Sequence, residues 1–211
     1  VAVEVTESAL DGVIENSGLI SANAGNVELN ANVRHQLNKL IINNQGDIKA
    51  NSIWQDGGDI YIGSNEGDIE NHGLIESTSY VNTNSENNIL IESNRIANFG
   101  IIKNNSSGTG NAGRIELLAQ DTVVLMGGSE IEANADIEGD GGFVRVFSPD
   151  SAIFRTGARI EAQAGFNLGD GGFVDVSGWQ HIEIQGRVST LAPNGRSGEF
   201  LIDPYNITIS N

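Results

Sequence analysis

A seven-residue phrase, I-x-N-x-G-x-I, stands four times in this chain and restricts its fold more than any other feature. It occurs as IENSGLI at 14–20, INNQGDI at 42–48, IENHGLI at 69–75 and IANFGII at 96–102, offset by 28, 27 and 27 residues. Each copy sets an Asn and a Gly between β-branched ends. A period this regular marks one structural unit repeated along an axis.

Segments that follow a Gly-rich or Asn-rich turn carry the period through the whole chain. Aligned without gaps, they place Val27, Ile60, Ile89, Ile115, Val144, Val174 and Phe200 in one apolar column. Two residues on, Leu29, Ile62, Ile91, Leu117, Val146, Val176 and Ile202 form a second. Between them lie Glu28, Tyr61, Leu90, Glu116, Arg145, Asp175 and Leu201, a mixed set suited to solvent. Period-two alternation is the mark of a strand with one buried face.

A second strand family gives the apolar column Ile20, Ile48, Ile75, Ile102, Ile131, Ile160 and Val188. Small or short residues follow two positions later, from Ala22 to Thr190. A third segment is anchored by Ile14, Ile42, Ile69 and Ile96, and the alignment continues it through Leu125, Phe154 and Ile184.

Three short strands per repeat, each with a buried column, predict an all-β chain: a parallel β-helix, a single-stranded solenoid of about seven rungs with three short strands per rung. Strands stack ~4.8 Å apart, so the rod is expected to be ~35 Å long. Only 6% of the residues are aromatic and 27 are Gly, which suits stacked short strands better than a conventional globular core. Residues 1–211 read as one such segment, cut from a longer protein, with polar loop insertions near 32–39 and 79–86.

Several function classes are disfavoured by composition. A formal net charge of −17 with only 11 Lys and Arg leaves no basic footprint for nucleic acid or anionic membrane. No apolar run reaches the ~18 residues of a membrane span, so no membrane insertion is expected. There is no Cys, which suits a chain that crosses an envelope unfolded.

Candidate site residues fall into two stacks. Asn16, Asn44, Asn71 and Asn98 would lie one above another at a turn, as an amide ladder or as a polar binding stripe. Outside, Glu116, Arg145 and Asp175 alternate in sign in adjacent rungs. They read as a cross-strand ion ladder, against the alternative of a carboxylate active site in a groove. The near-identical turns GDGG at 139–142 and 169–172 suit tight turns or calcium, although the G-G-x-G-x-D order is not kept. His35, His72 and His181 stand in unrelated segments, and no nucleophile or phosphate-loop motif occurs. The residues thus give no catalytic, cofactor or metal assignment.

The C-terminal region carries a resemblance. GGFVDVSG at 171–178 leads to LIDPYNITI at 201–209, and the latter is similar to the closing phrase of filamentous-haemagglutinin-type exoproteins of bacterial two-partner secretion. The phrase rests on Leu201, Ile202, Asp203, Pro204 and Asn206. ENSGLISANAGNVEL at 15–29 also resembles the stretch that follows that family's secretion domain, whose own N-P-N motifs are missing. The resemblance implies a right-handed β-helix, secreted or displayed at the bacterial cell surface. It implies an outer-membrane transporter as partner during secretion and a host-cell protein or glycan as ligand.

Together these readings lead to the expectation of a non-catalytic, adhesin-like shaft and binding module. Two alternatives remain open: a polysaccharide-acting β-helix lyase or hydrolase, and a calcium-stabilised extracellular module.

Overall fold

The computed structural model describes residues 1–5, 13–23, 25–31, 39–52, 58–80 and 87–205. Among them there are twenty strands and no helix, and every strand pairing is parallel. The chain winds as a right-handed parallel β-helix of about six turns. Its third face makes this plain: seven three-residue strands, from Leu19–Ser21 to Arg187–Ser189, are joined by six successive pairings.

The first face stacks eight strands, beginning with Ala2–Val5 and ending with Glu199–Leu201. Its register is the one the columns predict: Val27 on Ile60, Ile60 on Ile89, Ile115 on Val144, Val144 on Val174. Residues from Val27 to Val176 in these two inward columns are at most 1% exposed. Each fully buried Val or Ile contributes ~1.5 to 3 kcal/mol of transfer free energy, realised only when a rung lies above and below it. Phe200 and Ile202, in the last rung, are 40% and 41% exposed. Ala2–Val5 stands outside the seven aligned copies and pairs in register with Glu28–Ala31.

The second face runs through Ile14–Asn16, Leu40–Asn44 and Asp68–Asn71 to Ser151–Phe154 and His181–Ile184. In the two middle rungs it merges with the first face, so Asn88–Asn98 and Arg114–Leu125 serve both. A register shift between Ser93 and Arg95 lets the chain bend there.

One corner is closed by glycine. A Cβ on Gly142 would lie 2.1 Å from the carbonyl oxygen of Gly113, and one on Gly172 would lie 2.0 Å from that of Gly142. Backbone passes so close to backbone in adjacent rungs that no side chain fits. The inward Ala50, Ser77, Asn104, Ala133 and Ala162 share this corner and are fully buried.

Of the expected insertions, 32–38 and 81–86 lie outside the described residues. Ser79 belongs to the stack itself, bridging Ser52 below and Ser106 above, so the second insertion starts later than the sequence suggested.

Candidate functional site: ladders and grooves

The Asn ladder occupies the inside of the corner between the second and third faces. Asn16 Nδ2 donates to Asn44 Oδ1, Asn44 to Asn71 and Asn71 to Asn98, each at 2.7 Å. Asn98 Nδ2 ends the chain on the Gly100 carbonyl at 3.2 Å. At the lower end, Asn16 Oδ1 accepts from the Gly18 amide, an Asx turn that closes the tight corner. All four are buried, from 7% exposed at Asn16 to 0% at Asn98. Their polar groups are therefore spent within the wall and face no solvent.

Above Asn98 the register corrects the sequence alignment. Leu125, Phe154 and Ile184 do not continue the Ile14 to Ile96 column; they continue the Asn column, since Asn98 pairs with Leu125, Leu125 with Phe154 and Phe154 with Ile184. Val123, Ala152 and Ile182 sit over Ile96 instead. Two of the three rungs also widen the corner. Without the Asx turn they use a backbone turn, Ser129 N to Met126 O and Ala158 N to Arg155 O, with Gly128 and Gly157 at φ 89°. Phe154 fills the vacated space, and Gly186 above it has no room for a Cβ, which would lie 2.1 Å from the ring.

Glu116, Arg145 and Asp175 stand in register on the outer face, but ion pairing divides them. Glu116 takes Arg114, two residues away on its own strand, at 2.9 and 3.1 Å. Arg145 Nε lies 3.2 Å from Asp175 Oδ2, an ion contact without hydrogen-bond alignment. Its guanidinium stands over the Phe147 ring, 4.8 Å from the centroid. Asp175 also accepts from the Ser177 hydroxyl and is only 6% exposed. At Asp175 the outward column is thus more covered than a solvent-facing reading expects.

A longer outer ladder has no counterpart in the sequence reading. Asn111 Oδ1 accepts from the Asp140 amide at 2.8 Å, Asp140 Oδ1 from the Asp170 amide at 2.7 Å and Asp170 Oδ1 from the Arg196 amide at 2.8 Å. The Arg196 guanidinium returns to Asp170 and holds its carboxyl below the usual carboxylate range. An Asx side chain four residues before Ile115, Val144 and Val174 was the available signal. The GDGG turns belong here: Gly139 and Gly169 adopt φ 126° and 132°, and their Asp side chains tie rung to rung. Among the described residues no three His, Cys, Asp or Glu side chains converge to hold a metal ion.

Two concave surfaces follow the rod. One, about 660 Å³, lies along the glycine corner between the Asp140–Asp170 ladder and the stacked rings of Phe143 and Phe173, whose centroids are 5.4 Å apart. Arg114 covers the free face of Phe143 at 3.7 Å. The other, about 830 Å³, lies at the bend between the first and second faces, where Tyr61, Glu92, Leu118 and Phe147 line it. There the Tyr61 hydroxyl donates to Glu92 Oε1 at 2.6 Å. Desolvation, with that hydrogen bond second, pushes the phenol up to about 12.

The remaining candidates bring nothing together. His72, just past the strand Asp68–Asn71, stacks on Phe99 at 4.2 Å and contacts Glu70, while His181 begins the strand His181–Ile184; His35 lies outside the described residues. Leu201 ends the last strand, Ile202, Asp203 and Pro204 follow it at the rod's upper end, and Asn206 lies outside the described residues. No protein-family model, curated protein or solved structure matches the chain.

Proposed function

We propose that this chain is a non-catalytic shaft and binding module of a secreted or surface-displayed bacterial exoprotein, adhesin-like and exported by two-partner secretion. One observation carries the mechanical half of that reading: the polar groups of the wall are used along the axis, tying each rung to the next. The Asn ladder, the Asn111–Arg196 ladder and the Arg145–Asp175, Arg155–Glu183 and Arg159–Glu130 pairs all join neighbouring rungs. Such ties make a spacer that resists bending and local fraying. Carboxylates committed to structure support the non-catalytic assignment. The export half rests on the similarity of residues 171–178 and 201–209 to the two-partner exoproteins.

The test is made in the cell that produces the protein. Antibody raised against this chain is used to stain intact cells and culture medium, with and without the outer-membrane transporter of the pair. Loss of the external signal on removing the transporter is the expected result; an unchanged signal overturns the export reading.

A further inference from the structure

We propose that the groove at the bend between the first and second faces binds an extended, uncharged oligosaccharide. This rests on the binding half of the proposed function and names the ligand class of one groove; it is independent of the export half. Its floor is one outward column in four successive rungs, Gly63, Glu92, Leu118 and Phe147, in register. Four rungs span about 14 Å along the axis, several times the width of a single small ligand group.

The floor is polar at its lower end and apolar at its upper end. Gly63 lacks a Cβ because the Tyr61 phenol occupies its place, with Oη 2.1 Å from where the Cβ would stand. The ring is thereby laid over the sheet, and its hydroxyl is fixed on Glu92 Oε1. A carboxylate accepts at both oxygens, so Glu92 keeps capacity toward the groove. Leu118 and Phe147 follow as an apolar stretch, with Arg145 on one side and the exposed Gln120 beside it. A sugar ring presents apolar C–H faces and a rim of hydroxyls, and it needs apolar surface and hydrogen-bonding side chains side by side. This groove offers both, with Glu92 one rung from Leu118 and two from Phe147.

Charge and backbone geometry exclude the competing occupants. Arg145 is taken up by Asp175 and Glu92 meets only the neutral Tyr61 hydroxyl, so the groove carries no spare positive charge, and the chain as a whole carries −17, which repels an anionic polymer. A peptide binding as an added strand needs an open sheet edge. Here the floor strands are already paired with the rungs on both sides, so no edge faces the groove.

Isothermal titration of the folded chain tests the proposal with neutral hexasaccharides spanning the α and β linkages of glucose, galactose, mannose and xylose. A sulfated hexasaccharide and an extended heptapeptide are included. At least one neutral sugar is expected to bind, and Gln120→Trp, which fills the groove from an exposed position, is expected to weaken it about tenfold or more. Phe147→Ala should do likewise, while Phe173→Ala, on the other groove, should leave affinity unchanged. Thermal melting of each variant separates loss of the site from loss of the fold. The proposal is overturned if no neutral sugar binds, if only the sulfated sugar or the peptide binds, or if Gln120→Trp folds and binds as the parent does. None of these outcomes bears on export, which is read from transporter dependence.

Discussion

A single amide in the wall shows how much one residue decides. Asn71 both donates and accepts within the buried ladder, so Asn71→Ala leaves an Asn44 donor and an Asn98 acceptor unpaired. Each orphaned buried group costs ~1 to 3 kcal/mol, and urea denaturation should show a loss of about 2 kcal/mol or more. Asn16→Ala, at the ladder's open end, should cost less than Asn71→Ala; equal losses would deny that the amides act as a chain. Gly142→Ala is the steric counterpart. Its Cβ would sit against both Gly113 O and Ala133, and a loss of about 3 kcal/mol is expected on the same measurement. Tyr61 gives a pH signature. Its folded-state pKa is raised, so the stability it confers is complete below the unfolded value near 10 and is lost as pH climbs toward 12. Melting temperature between pH 9 and about pH 11.5 should therefore fall more steeply in the parent than in Tyr61→Phe.

At the scale of the strand, inside and outside differ by one residue. Val174 is fully buried, and Val174→Asp places an unpaired carboxylate in the stack, at a cost above about 4 kcal/mol. Asp175→Val removes the partner of Arg145 and Ser177 from an outward position, at about 1 kcal/mol. Calorimetric melting of both variants checks the contrast, and comparable losses would reverse the assignment of faces. The first-face and third-face columns were legible in the sequence because every member is apolar; turns mark the start of each first-face strand, and the third-face spacing is nearly constant. The upper half of the second face was not. Leu125, Phe154 and Ile184 look like further anchors of the Ile column, yet they replace the amides two positions on, and a corner lengthened by two residues hides the change. The Asn16–Asn98 ladder could be read from its spacing. The Tyr61–Glu92 link could not, since it depends on a ring leaning two residues along its strand into the next rung.

For the whole molecule, stacking makes stability a matter of neighbours. The middle rungs have a partner on each side and the end rungs have one, so amide hydrogen exchange should be slowest at Ile102 and Ile131 and fastest at Ala2–Val5. Uniform protection would mean that the rod opens only as one unit. The change from Asn to Leu at one corner then acquires a further meaning. Every rung is built on nearly the same plan, and two copies of such a rod are at risk of exchanging segments. A segment whose corner ends in an amide fits over another amide, whereas one that ends in Leu125 or Phe154 leaves an amide without a mate. The corner is therefore cut differently in the lower and upper parts of the rod, and a register that set Leu125 or Phe154 over Asn44 or Asn71 would cost an amide its mate.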